Sequence, residues 1–399
     1  MQRRVRAVVM RGGTSRAVFF HRGDLPADPE LRDRVILKIY GGGDPYGRQI
    51  DGLGGATSVT SKTAIIGPPS ALDADVDYTF GQVSVGAPLI DYGGNCGNIS
   101  SAVGPFAIEE GLVRATDPMT QVRIWQTNTR KRIIAYVPTV GGLPQVEGDY
   151  AIDGIPGAGA MILLEFLNPG GSMTGRLLPT GRPTDTLEVP GFGTVIVSLV
   201  DAANPVVFVR PADLGLTGLE TADRVDRDPE LLSRIESIRA HAAVHIGLAR
   251  TASEATERSP GVPKIAFVTG PASYAASDGR VVAGSQIDLT GRIMTMGRLH
   301  RAYALTGGIC TAVAAQIEGT LVCGASRAAG PPGERTVRIG HPSGVIEVGV
   351  DVRHSDGTWT VEKVTTRRTA RRLMEGTALI PASVWPQAVR RASASAATE

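Results

Sequence analysis

Gly93-Gly94-Asn95-Cys96 leads into a small-residue, apolar run that closes on Glu110-Gly111. In the second half of the chain, Gly307-Gly308-Ile309-Cys310 opens a similar run that closes on Glu318-Gly319. This repeat predicts two related halves, each with a cysteine at the start of a buried helix. Glycines ahead of a helix let the backbone pack tightly and leave first-turn N–H groups facing a bound anion. The positive end of the helix dipole favours thiolate over thiol at that place, so a reachable cysteine there suits reaction chemistry. A ligand is expected between the halves.

Around these two helices the periodicity is mainly that of strands. Segments 5–9, 17–20, 76–85, 121–125, 133–137 and 194–199 are short, rich in Val, Ile and aromatics, and bounded by Gly, Pro, Asp or Asn. The style returns at 264–268, 336–339, 345–350 and 358–361. Helical spacing predicts a helix over 28–40, with Leu31, Val35, Ile36 and Ile39 on one face, and another over 228–249, where Pro229 suits the first turn. A third is expected over 291–304 from Met294, Leu299 and Tyr303. The two helices after the cysteines are apolar all round, the mark of burial. The fold class is therefore α+β: two similar domains, each a curved, mostly antiparallel sheet around a central buried helix. The Gly/Pro-rich stretch 170–190 divides residues 1–182 from 183–390, and the Ala/Ser-rich tail within 391–399 is expected to be disordered.

Composition narrows the classes of function. With 399 residues each half can bury a core, and 50 glycines with 26 prolines favour loops and strands over a helical bundle. The net charge of +2 and the absence of a basic stripe with interleaved aromatics argue against nucleic acid. Three cysteines make too sparse a set for a disulfide framework and suit a reducing compartment. No signal peptide or membrane span is read, so the expected location is the cytoplasm.

Several residues have the chemistry for a small anionic ligand. The turn Arg11-Gly12-Gly13-Thr14-Ser15-Arg16 offers N–H donors, two hydroxyls and two guanidiniums for a carboxylate. Lys62 follows the glycine-rich loop 51–58, and desolvation in a cleft would make it a competent base. Gly340-His341-Pro342-Ser343-Gly344 is another donor-rich turn, and His300 precedes the second cysteine loop. His241 and His245 have helical metal-ligand spacing without a third ligand, so no metal is assigned. Gly154-Ile155-Pro156-Gly157-Ala158-Gly159 lacks the strand-to-helix context of a dinucleotide loop, and no cofactor is assigned either. Cys323 reads as a small apolar side chain.

Taken together, Met10-Arg11-Gly12-Gly13-Thr14-Ser15, Gln49-Ile50-Asp51-Gly52-Leu53-Gly54-Gly55, Thr60-Ser61-Lys62, Asn95-Cys96-Gly97-Asn98-Ile99-Ser100, Val103-Gly104-Pro105-Phe106-Ala107-Ile108 and Gly340-His341-Pro342-Ser343-Gly344 resemble the PrpF family over residues 5 to 380. That family includes 2-methylaconitate isomerase, 3-methylitaconate isomerase and 4-oxalomesaconate tautomerase. The resemblance implies the diaminopimelate-epimerase-like fold with its site in the cleft, and Lys62 and Cys96 as the acid/base pair. It implies carboxylate binding at Thr14, Ser15, Asn95, Gly97, Asn98 and Ser100, with His300, Gly308, Cys310 and Ser343 contributing from the second half. Arg16 departs from the lysine that many relatives carry, which keeps charge but changes geometry.

The implied activity is a cofactor-independent shift of a carbon-carbon double bond in an unsaturated di- or tricarboxylate. Two rivals remain at this stage: an amino-acid racemase or epimerase using Cys96 and Cys310, and a non-catalytic carboxylate-binding homologue. The expected partner is the small carboxylate itself, with no nucleic acid or membrane, and a homodimer is the default assembly.

Overall fold

The computed structural model describes residues 1–386, so the tail 391–399 expected to be disordered lies outside the described residues. Strand β1 (Gln2–Gly12) turns through Gly13-Thr14 into β2 (Ser15–His21), followed by helix α1 (Pro29–Tyr40) and strands β3 (Lys62–Gly67) and β4 (Val76–Val83). The glycine-rich cysteine loop then feeds α2 (Gly97–Glu109), and β5 (Met119–Gln126), β6 (Lys131–Val140) and β7 (Ile162–Leu167) complete the first half. The strands pair in chain order, with β2–β3 and β4–β5 parallel and the rest antiparallel.

No helix or strand is assigned between Leu167 and Asp185. The second half runs β8 (Asp185–Val189), β9 (Gly193–Ala202), β10 (Asn204–Val209), α3 (Pro229–His245), β11 (Lys264–Thr269), β12 (Leu289–Thr295), α4 (Leu305–Ala314), β13 (Gly333–His341), β14 (Gly344–Ser355), β15 (Thr358–Arg368) and β16 (Ala370–Pro381). Its strands β8 to β15 also pair in chain order, with β10–β11 and β12–β13 parallel. The last two strands join the halves: β15 pairs with β7, and β16 runs antiparallel along the whole of β1.

Each sheet curls around its helix because alternate strand residues are sorted to two faces. On β1 and β2, Val8, Met10, Ala17 and Phe19 join the core of α2, while Val5, Ala7, Val18 and Phe20 face α1. Phe19 lies on Phe106 of α2 with ring centroids 5.3 Å apart. Residues Gly97 to Ile108 of α2 are all buried, as are all ten of α4, in keeping with their small and mostly apolar residues. Asp28 and Asp228 cap α1 and α3 by accepting from Leu31 N–H at 2.7 Å and Leu231 N–H at 3.0 Å.

Two expectations are corrected. Segment 291–304 is no helix: all of β12 is buried on both faces, so it lacks alternation, and its apolar spacing imitated a helical stripe. Cys310 does not start a helix. Helix α4 begins at Leu305, capped by Ala304, and Cys310 sits well inside it. Gly307 and Gly308 are helical residues, and Gly307 serves close packing, since a Cβ there would lie 2.2 Å from Ile293 Cδ1 of β12. Among the described residues, no helix is long and apolar enough to cross a membrane.

Candidate active site

Cys96 is the N-cap of α2, and its carbonyl accepts from Ser100 N–H at 2.9 Å while its thiol makes no capping bond. The half-buried thiol is thus free to face the cleft. Its approach loop is tightly fixed. Gly94 has φ +81°, and a Cβ there would meet Asn204 Oδ1 at 2.3 Å, so the position requires glycine twice over. Ser100 Oγ donates to the Cys96 carbonyl at 3.1 Å.

Lys62 enters the same space from the first residue of β3. Its side chain is buried, its Nζ donates to Gln82 Oε1 and lies 5.4 Å from the centre of the Phe80 ring. Gln82 is itself oriented by donating to the carbonyls of Ser58 at 3.0 Å and Ser61 at 2.9 Å. Burial pushes the Lys62 amine below its ordinary range, and the charge of Cys96 opposes that shift. An amine poised this way can accept a proton.

The second half supplies groups that the sequence reading missed. Lys264, first residue of β11, is half-buried against the cavity and donates to Gly261 O at 3.1 Å. Burial, reinforced by the charge of Lys62, brings its amine down to about 8. Asp91 bridges the halves: it accepts from Gly93 N–H at 2.7 Å and from Gly261 N–H at 2.9 Å, and burial raises its pKa. His300 Nδ1 accepts from Ala302 N–H at 3.0 Å, which leaves the ring proton on Nε2. Burial and the charges of Lys62 and Lys264 bring His300 down to about 3, so it is a neutral donor at physiological pH.

These groups line one cavity. Of the residues expected from sequence, Ser15, Lys62, Asn95, Cys96, Gly97, Asn98 and His300 are brought together there. The missed ones are Gln82, Asp91, Asn204, Lys264, Thr295 and Thr306. Ser15 Oγ and Thr295 Oγ1 are buried with no hydrogen-bond partner among the described residues. The starts of α2 and α4 both line the cavity, through Gly97 and Asn98 and through Leu305 and Thr306. Their first-turn N–H groups lack helical acceptors and favour an anion. Two lysines, two helix starts and two unpaired hydroxyls make a site for a small molecule bearing carboxylates.

Other expected residues lie elsewhere. Ser100 backs the Cys96 loop, and Thr14 lines an adjoining cavity with His341. Ser343 Oγ donates to Arg301 O at 2.6 Å, away from Lys62. Gly308 packs inside α4 near Ile346, and the Cys310 thiol donates to Val200 O at 3.2 Å in the core, where burial pushes its pKa up. A two-thiol site would need that group in the cleft.

A family model described as PrpF protein matches residues 2–381. The chain belongs to the PrpF family. It is 50% identical to a 3-methylitaconate isomerase of Eubacterium barkeri, over 94% of this chain and 97% of the relative. It is 44% identical to a 2-methyl-aconitate isomerase of Shewanella oneidensis, over 95% and 98% of the two chains, and 38% identical to a 4-oxalomesaconate tautomerase of Pseudomonas putida, over 96% and 98%. A crystal structure of methylitaconate-delta-isomerase superposes with a TM-score of 0.75 at 48% identity, covering 97% of this chain and 98% of that one. A hydroxyproline epimerase from Agrobacterium vitis superposes with a TM-score of 0.55 at 13% identity, covering 96% and 98%, so this PrpF member shares the epimerase-like fold with enzymes far from it in sequence.

Proposed function

We propose that this PrpF-family enzyme moves a carbon-carbon double bond in an unsaturated di- or tricarboxylate by transferring a proton between two allylic positions. The observation that carries this reading is the convergence of Lys62 and Cys96 on one cavity whose other polar groups are built to hold carboxylates. The named isomerases and the tautomerase at 38–50% identity support it.

A proton on the carbon next to a carbon-carbon double bond conjugated to a carboxylate is weakly acidic. Its removal places charge on the carboxylate oxygens as a dienolate. The N–H groups at the starts of α2 and α4, Lys264 and the Nε2–H of His300 face the cavity where that charge develops, and pre-aimed donors of this kind lower the barrier. Lys62 and Cys96, which line the same cavity, act as the acid–base pair. The basic member of the pair takes the substrate proton, and the pair returns one two carbons away. General acid–base transfer contributes about 10²–10⁴-fold, so the donors and the rigid loop at Asn95 supply the rest. Three free cysteines suit a reducing compartment, and we place the enzyme in the cytoplasm on that ground.

The test is incubation with 2-methylaconitate, aconitate, methylitaconate and oxalomesaconate in deuterated buffer, followed by proton NMR. Deuterium appearing at the allylic carbon together with a shifted double bond is expected for at least one acid. Near-normal turnover by Lys62→Ala or Cys96→Ala would overturn the assigned roles. Binding without exchange would favour a carboxylate-binding homologue instead.

A further inference from the structure

Arg368, the last residue of β15, is 6% exposed, yet no acidic side chain lies within ion-pair distance of it among the described residues. Its Nε donates to Asn98 Oδ1 at 3.2 Å and one Nη to Arg367 O at 2.7 Å, while the other Nη has no partner among the described residues. It lines a second cavity with Thr14, Tyr150 and His341. His341 Nδ1 accepts from Ser343 N–H at 3.2 Å, so its proton sits on Nε2. The Thr14 hydroxyl accepts from Asn98 Nδ2 at 3.1 Å and keeps its own proton to donate. The Tyr150 hydroxyl makes no hydrogen bond within the described residues and is a donor.

Four groups able to donate therefore meet with no anionic partner for the guanidinium, and a buried cation without a counter-charge is costly. Of the acids on this wall, Asp153 is already engaged, with Arg280 at 2.8 Å and Val345 N–H at 2.7 Å, and Glu347 is exposed at the rim. Burial lowers the guanidinium to about 10 and leaves it fully charged at neutral pH. The two cavities share a wall. Asn98 lines the Lys62 cavity and binds both Arg368 and Thr14, while Ser15 and Ala304 line the first cavity beside Thr14 and Tyr303 of the second.

We propose that the Arg368 cavity receives a remote carboxylate of the substrate, so that the enzyme prefers an unsaturated tricarboxylate over a dicarboxylate; this rests on the reading of the protein as an unsaturated-acid isomerase. The hairpin of Tyr150–Ala151 with Ala158–Gly159 brings Tyr150 over this carboxylate, which gives the glycine-rich stretch 154–159 a role in substrate choice.

Calorimetric titration of the full chain with two saturated acids, tricarballylate and methylsuccinate, tests the cavity without turnover. The wild type is expected to bind tricarballylate about tenfold or more tighter, the scale of one charge-assisted contact. Arg368→Gln should remove most of that preference and Arg368→Lys should restore part of it. Should Arg368→Gln fail to fold, as judged by melting, Tyr150→Phe decides, with about threefold weaker tricarballylate binding and unchanged methylsuccinate binding. Equal binding of both acids by the wild type, or equal loss of both in the variants, would overturn the proposal. Acetate binding alongside methylsuccinate, with no tricarballylate preference, would overturn it in favour of a free anion. The deuterium-exchange assay judges the isomerase reading separately, because these binding results do not require catalysis.

Discussion

Asn204 holds the backbone of Asn95 from both sides: Asn95 N–H donates to its Oδ1 at 2.8 Å, and its Nδ2 donates to the Asn95 carbonyl at 3.0 Å. The same Nδ2 donates to Thr306 Oγ1 at 3.1 Å, at the start of α4. One amide at the head of β10 thus fixes the residue before Cys96 relative to both helix starts. Asn204→Ala leaves the Asn95 N–H buried and unpaired, at about 1–3 kcal/mol. Thermal melting should fall accordingly, and kcat should drop about tenfold as the thiol loses its position. Unchanged melting and unchanged kcat in this variant would show that the Asn95 loop is held by other contacts.

The acid–base pair predicts a different pattern. Lys62→Ala and Cys96→Ala should each lower kcat by about 10²-fold or more while substrate binding changes little, because the donors that hold carboxylates remain. Gln82→Leu is milder. It frees Lys62 Nζ from its acceptor and should cost about tenfold in kcat with intact folding. Steady-state kinetics that separate kcat from KM distinguish these variants; a rise in KM alone for Lys62→Ala would mark it as a binding group.

Lys264 makes both binding and stability depend on pH. Its amine is charged below about 8 and neutral above it, so apparent KM for a carboxylate substrate should rise as pH climbs past about 8. Burial and the charges of Lys62 and Arg239 favour the neutral form, while Cys96 and Asp91 oppose them. Its folded-state pKa lies below the ordinary 10.5, so the unfolded chain binds more protons between about 8 and 10.5, and this group's contribution to stability rises with pH through that window. Lys264→Met should raise the melting temperature at pH 7, flatten its rise toward pH 10 and weaken substrate binding. A variant that melts lower at pH 7 would mean that the Lys264 ammonium is stabilising.

How far the site could be read in advance depended on whether its signals were local. Cys96 was legible because the glycines and asparagine beside it define the cap of α2 within a few residues. Lys264 was not, since the strand beginning there reads only as strand, and its head enters a cavity that exists only once the halves meet. Asp91 and Asn204 act across the same seam and were missed for the same reason. At Cys310 the glycine pair gave the wrong register: next to Cys96 glycine serves the turn, whereas Gly307 serves contact with Ile293 inside a helix. The family resemblance also named Ser343, whose turn contributes His341 to the adjoining cavity. The strand order was partly hidden too, because the pairing of β16 with β1 links the two ends of the described chain.

Cys310 offers the sharpest test against a two-thiol mechanism. Its side chain is fully buried in α4, its thiol bonds to the Val200 carbonyl, and burial raises its pKa, so it is neither reachable nor readily ionised. Cys310→Ala should therefore keep kcat within about threefold and lose about 1 kcal/mol of stability through the small void it leaves. Alkylation with iodoacetamide should modify Cys96 and abolish activity, with protection by bound substrate, while Cys310 stays unlabelled in peptide mass spectrometry. Cys323 is also only half-buried, so the experiment is done in a Cys323→Ser background to keep its labelling from confusing the count. Loss of activity in Cys310→Ala with normal melting would require a second working thiol and would return the epimerase reading.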